Sequence, residues 1–392
     1  MRAVGVEEEL LVVDSRTGRP ARAGRRLVER VASQQVRRPD DGSGVHTEFM
    51  REQVEVGTHP YTDLVTLHAE VTALRRRAAA AAAEDGLAVA AVGTSPVPVS
   101  PTVTADPRYL SLLSTFRLVA GDQLINGCHV HVDVESREEA VAVVDRLQPW
   151  LPLLRAASGN SPFWRGRDSG YASYRSAVWG RWPSAGPTEP FGTPAEYDRA
   201  VAALLATGAV VDHGNLYFDA RVSQRYPTVE IRAADVCLRA EHTVLLAGLA
   251  RALVDTAAEQ FRGGVPFVPT RLALLRTAHW RAAREGVTGM LQHPRTDVPV
   301  PAAAALSVLL DHVRDALESN GDLDVVSELL QDLLGRGSGA REQRTAFHRR
   351  GELADVARHA AAVTAPSEAP PGVTTDAEGV GFEPTRTEGA PP

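Results

Sequence analysis

Along this chain, four short stretches alternate polar and apolar residues with the two-residue period of a strand that buries one face and shows the other. In residues 4–13, Glu7 and Glu9 share one face, while Val6, Glu8 and Leu10 share the other. Residues 53–57 set Gln53, Glu55 and Gly57 against Val54 and Val56. Residues 127–134 set His129, His131 and Asp133 against Cys128, Val130, Val132 and Val134. In residues 228–232, Glu230 and Arg232 oppose Val229 and Ile231. A further strand is expected over 215–219, joined to the last one by a turn that carries Arg221 and Arg225, and an apolar strand over 87–92. Glu8 has apolar neighbours on its face and is read as part of the packed side.

Elsewhere the helical period takes over. Leu64, Leu67, Val71 and Leu74 line one side of a helix over 61–85. Ser136, followed by Glu138 and Glu139, caps a helix over 136–158. A short helix is predicted from Tyr109, and longer ones over 195–208, 238–261, 270–285, 302–319, 323–334 and 340–362. Two stretches are irregular. Residues 15–44 read as a turn, a short helix and a loop. Residues 159–193 hold Trp164, Trp179 and Trp182 without any period, which fits an ordered segment that covers a substrate. From residue 364 the chain is rich in Pro, Gly, Thr and Glu and nearly without apolar residues, so a disordered tail is expected over 364–392. The pattern is that of an α+β protein with a single domain over 1–363, its C-terminal part mostly helical.

Composition narrows the classes. Hydrophobic residues make up 44% and charged residues 23%, the balance of a soluble globular protein. A net charge of −7 argues against a nucleic-acid or membrane surface as partner. Cys128 and Cys237 offer no disulfide framework, the start carries no secretory pattern, and no apolar run approaches the roughly 20 residues of a span. A cytoplasmic location is expected. All 42 basic residues are Arg. Without lysine there is no P-loop, no Schiff base and no Lys nucleophile. A genomic preference for Arg codons accounts for the omission as well, so it excludes mechanisms rather than selecting one.

The chemistry lies on the polar strand faces. Glu7/Glu9, Glu55, His129/His131/Asp133 and Glu230/Arg232 together describe a sheet with one carboxylate-rich face, which needs compensating positive charge at neutral pH. Glu48, seven residues before Glu55, is close enough to return to the same site. Oxygen ligands with a minority of imidazole favour Mg²⁺ or Mn²⁺ over Zn²⁺. Arginines on the same face suit phosphate. The residues therefore point to a metal-dependent, ATP-using or phosphoryl-transfer enzyme that has no P-loop.

The segments 5–10 (Gly-Val-Glu-Glu-Glu-Leu), 53–56 (Gln-Val-Glu-Val), 127–131 (Gly-Cys-His-Val-His) and 228–232 (Thr-Val-Glu-Ile-Arg), in this order, resemble the signatures of the carboxylate–amine ligases, the type 2 glutamate–cysteine ligase family. The resemblance runs from about residue 3 to about residue 260, and more loosely to about 362; the segment 380–386 has no counterpart in the family core. It implies a glutamine synthetase-like fold, with an antiparallel sheet forming a funnel-shaped active site, helices behind it, and 1–363 as the catalytic domain. It also implies that Glu7, Glu9, Glu48, Glu55, His129 and Glu230 hold Mg²⁺. Arg221 and Arg232 would face the nucleotide phosphates, with His131 as a nucleotide or outer contact. The Tyr174-Arg175 segment would meet the amino acid, so that Glu55, Arg175 and Arg232 act at the reaction centre. The implied activity is ATP-dependent amide formation from glutamate and an amine such as cysteine, through an acyl phosphate. Partners would be these small molecules, with self-association into a homodimer left open. Two readings compete: a metal-dependent hydrolase using His129 and His131, and a non-catalytic binder of amino acids or nucleotides.

Overall fold

The alternating stretches come together in one sheet. A computed structural model of the chain describes residues 1–33 and 42–366. The sheet's seven strands are β1 (Val4–Asp14), β2 (Gly44–Thr47), β3 (Gln53–Gly57), β4 (Leu87–Ala90), β5 (Gly127–Asp133), β6 (Ala220–Val222) and β7 (Thr228–Asp235). They lie in the order β2-β3-β1-β5-β7-β6, with β4 paired to the far end of β1, and every pairing is antiparallel. The antiparallel sheet and the helices behind it are those the sequence predicts.

One face of this sheet is apolar because alternate residues of each strand point to it. Val4, Val6, Cys128, Val130, Val132, Val229 and Ile231 pack there against the helices Arg137–Leu147, Leu151–Ser158 and Ala240–Arg262. Glu8 sits on this face, as its neighbours imply, at 1% exposure. Its two oxygens accept from Arg75 Nε and Nη2 at 2.8 and 2.6 Å and from Thr243 Oγ1 at 2.6 Å. Arg75 belongs to the helix Leu64–Ala83 and also donates to the carbonyls of Cys237 and Leu238. The pair thereby fastens the central strand to two helices.

Several expectations are corrected in detail. The helix expected over 136–158 is two, because Pro152 has no N–H to offer the carbonyl of residue 148. The one expected over 340–362 breaks at Gly351, which has φ +76°, a left-handed conformation suited to a helix end. The helix expected over 302–319 divides at Val313. The strand expected over 215–219 lies instead at Ala220–Val222. Asp212 accepts from Asn215 N at 2.9 Å and turns residues His213–Asn215 into a 3₁₀ helix. Residues Gly44–Thr47 form a strand that the alternation along the chain does not predict. Thr364, where the tail was expected to begin, still belongs to the last helix and accepts from Ala91 N at 2.8 Å; 367–392 lie outside the described residues. No helix among the described residues is long and apolar enough to cross a membrane.

Removing one partner of the buried Arg75–Glu8 pair strands the other. Glu8→Ala is therefore expected to cost about 3 to 5 kcal/mol of folding stability, and Arg75→Met with Glu8→Leu to recover most of it. Denaturant unfolding of both variants checks this. Equal losses in the single and double variants would show that the pair is not the source.

Candidate active site

Strand register builds the opposite face. Glu7 pairs with His129, and Glu9 pairs with Glu55, which itself pairs with His46. On the next strands His131 pairs with Glu230, and Glu230 with Arg221. Because these residues lie on the face the helices do not cover, they line one cavity of about 850 Å³. Glu48, just past β2, reaches it too. Gly127 N–H donates to Glu9 Oε2 at 2.5 Å and orients that carboxylate.

The acids fall into two groups. Glu7, His131 and Glu230 offer ligand atoms within 4.8 Å of one another, and so do Glu9, Glu48 and Glu55. Their charge is balanced differently. In the first group, burial would raise the pKa of Glu7, but hydrogen bonds from His129 and His131 hold it far below the carboxylate range. Burial of Glu230 is likewise outweighed, by the charges of Arg232 and Arg221, and its pKa falls well below normal. Arg221 Nε donates to Glu230 at 2.7 Å, and Arg232 Nη1 bonds the same carboxylate. His131 is pushed up, since Glu230 and Glu7 outweigh its burial. In the second group nothing comparable intervenes. Burial, then the charge of Glu9, raises Glu48 to about 8; burial, then Glu7 and Glu48, raises Glu55 well above its usual value. Two clusters of three donors, one with two carboxylates and an imidazole and the other with three carboxylates short of positive charge, fit divalent cations held mainly through oxygen.

All six expected metal ligands line the cavity, but their grouping differs from the expectation. His131, expected as a nucleotide or outer contact, shares a cluster with Glu7 and Glu230. His129 stands between the two groups, its Nδ1 3.3 Å from Glu7 and its Nε2 3.9 Å from Glu9. Arg221 and Arg232 are on the wall. Arg175 is not. It is 1% exposed, and its guanidinium presses so closely on Gly127 that a Cβ there would meet Nη2 at 2.2 Å. The helix Tyr174–Trp179 turns it inward, with its charge facing buried Asp235 and, more weakly, Glu9. The expected covering segment contributes Trp179 and Trp182 to the wall, but not Trp164. Each cluster contains at most one imidazole, which departs from the two-histidine zinc site of the hydrolase reading.

The sequence reading missed Gln53, Tyr109, Gln123 and Tyr217 as wall residues. A signal existed for Gln53, which shares a strand face with Glu55; its amide donates to Ile125 O and Asn126 Oδ1 at 2.8 Å. Tyr109, Gln123 and Tyr217 lie in irregular or helical segments with no period that aims them at a sheet.

Comparisons with known proteins agree with one another. The model of glutamate–cysteine ligase family 2 matches residues 3–359. A protein of Streptomyces avermitilis, provisionally named glutamate–cysteine ligase 2-1, is 51% identical over 356 residues, covering 91% of this chain and 97% of that one. A Frankia alni relative, provisionally named glutamate–cysteine ligase 2-2, is 48% identical over 372 residues, with coverage of 91% and 95%. Among solved structures, glutamate–cysteine ligase of Francisella tularensis in complex with AMP superposes with a TM-score of 0.62 at 12% identity, over 94% of this chain and 90% of that one. The bifunctional glutathione synthetase of Pasteurella multocida gives 0.66 at 12% identity over 93% of this chain, which spans about half (52%) of that longer protein. At such identity the likeness establishes the shared fold.

The charge imbalance has a measurable sign. Glu48 and Glu55 have raised values in the fold, so between the unfolded value near 4.5 and about 8 these two carboxyls bind more protons in the folded chain than in the unfolded one. The stability they contribute to the metal-free protein is therefore lost as pH rises through that window. A divalent cation replaces those protons, so the gain in melting temperature on adding Mg²⁺ should grow from about pH 5 to about pH 8. Thermal melts across that range, with and without Mg²⁺, make the comparison; a gain that shrinks with pH would contradict the balance described.

Proposed function

This chain belongs to glutamate–cysteine ligase family 2, and on that premise we propose that it is an ATP-dependent carboxylate–amine ligase, acting on glutamate and an amine such as cysteine. The observation that carries the reading is the pairing, on one sheet face, of two acidic ligand clusters with Arg221 and Arg232. Glutamate and cysteine come from the names of its relatives.

The reaction brings two anions together. A carboxylate oxygen of glutamate attacks the γ-phosphorus of ATP, the bond to the bridging oxygen breaks, and ADP leaves. The amine then attacks the acyl carbon, phosphate departs, and the nitrogen gives up its proton. Bound at the two clusters, Mg²⁺ would neutralise phosphate charge and polarise its oxygens. Glu7, His131 and Glu230 would hold it at one cluster and Glu9, Glu48 and Glu55 at the other. Arg232 stands ready to neutralise charge that develops between carboxylate and phosphate. Arg221, tied to Glu230 and to Leu216 O at 2.8 Å, keeps the Glu230 carboxylate ionised and oriented. Of the residues the resemblance places at the reaction centre, Glu55 and Arg232 line the cavity, which supports that role for them; Arg175 is buried against Gly127 and does not reach the wall.

Release of ADP across a panel of amino-acid pairs with Mg²⁺ tests the reading directly. Glu230→Gln is expected to abolish turnover with the fold retained. Arg232→Gln is expected to slow turnover about 10²-fold or more, the scale of one lost transition-state charge contact, while Mg²⁺ affinity largely survives. If Arg232 were only an internal counter-ion for Glu230, its variant would be destabilised yet fully active per folded molecule. Measuring rate per folded molecule alongside Mg²⁺ affinity separates the two roles.

A further inference from the structure

Arg232 joins two parts of the cavity wall. Its Nη1 bonds Glu230, while its guanidinium lies 5.7 Å from the ring of Trp179 and 6.0 Å from that of Tyr217. Trp182 stands 5.1 Å from the same tyrosine ring. The segment before β5 closes on this group, since Asp122 lies 3.8 Å from Arg181, the chain neighbour of Trp182. Gln123 lines the same cavity as Trp179, Trp182, Tyr217 and Arg232.

These residues share an unusual deficit. Gln123 is 5% exposed, and neither its amide nitrogen nor its amide oxygen has a partner among the described residues. The indole nitrogens of Trp179 and Trp182 and the Nε of Arg232 are equally without one. Buried polar groups left unpaired cost stability, and those on a cavity wall are offset when a ligand pairs with them there. Donors outnumber acceptors. The Gln123 NH₂, two indole N–H groups and the Arg232 Nε–H stand against one free acceptor, Gln123 Oε1. The complement accepts several hydrogen bonds, carries negative charge towards Arg232 and donates to one oxygen. An α-amino acid has that pattern, its carboxylate for the donors and its ammonium for Gln123 Oε1 and the ring faces. Adenine offers acceptors to the amide and the indole N–H groups but brings no negative charge towards Arg232.

We infer that Gln123, Trp179 and Trp182 form the recognition site for the α-carboxylate and α-ammonium of an amino-acid substrate. The inference rests on the ligase reading for what becomes of that amino acid, though not for its binding.

Equilibrium dialysis without ATP tests it, using L-glutamate and L-cysteine beside 4-aminobutyrate and cysteamine, which lack the α-carboxylate. The wild-type protein is expected to bind at least one amino acid about tenfold more tightly than its decarboxylated analogue, the scale of one charge-assisted contact. Gln123→Leu and Trp182→Phe should erase most of that preference and leave ATP affinity unchanged. The arm that loses it, glutamate or cysteine, identifies whether the acid or the amine sits there. Gln123→Leu removes two unpaired polar atoms, so its melting temperature should hold or rise, which separates lost binding from unfolding. Weakened ATP binding with amino-acid binding intact would overturn the inference. So would unchanged preferences in both variants, or a wild-type protein that binds neither amino acid. A wild-type protein that releases no ADP, yet binds an amino acid through Gln123, would sink the ligase reading and leave this one standing.

Discussion

Like charges facing one another across neighbouring strands are the constraint on which this structure depends. Glu9 and Glu55 are direct cross-strand partners, Glu7 precedes Glu9 on the same face, and Glu48 reaches them from the end of β2. Such pairs oppose sheet formation unless something between them is positive. The fold meets half of the demand internally. Around Glu230 and Glu7, Arg221, Arg232, His129 and His131 supply the charge and the hydrogen bonds. Around Glu48 and Glu55 only Arg232 supplies charge, and burial with the neighbouring acids outweighs it, so their pKa values rise. The second cluster is thus the one whose charge state a cation changes most.

Holding such a face together requires rigidity behind it. The central strand β1 carries Glu7 and Glu9 outward and Glu8 inward, and Glu8 is locked to Arg75 and Thr243 on two helices. The same alternation therefore places two carboxylates in the cavity and uses the one between them as an anchor. Gly127 contributes from the adjacent strand. Its N–H orients Glu9, and the absence of a side chain leaves room for the Arg175 guanidinium. Reactive groups on strands pinned this way hold their geometry better than groups on loops.

Much of this site was legible because the period of a strand is two. Once Val6, Val54, Val130 and Val229 are assigned to a core, Glu7, Glu55, His131 and Glu230 have only one face left, and register then brings them together. The same logic marked Glu8 as packed. It failed where periodicity is absent or interrupted. Arg175 sits in a short helix within an aromatic stretch, and its direction depends on Asp235, sixty residues later in the chain. The strand expected over 215–219 was displaced by an Asp212 cap whose effect is local but outside any alternating pattern.

What the sequence determined by itself was the set of strand faces, and hence which acids share the polar side; this follows from local alternation and holds whatever the strand order is. The antiparallel sheet and the family came from four motifs met in one order. Tertiary structure alone decided which acids share a cluster, that His131 rather than His129 completes one of them, that Arg175 is buried against Gly127 off the cavity wall, and that Gln123 lines the same cavity as Trp179 and Trp182. Each of these depends on strand order and on loops that bring residues far apart in the chain within a few ångströms. No local pattern encodes that proximity, because it is set by how apolar faces pack and not by the polar residues themselves.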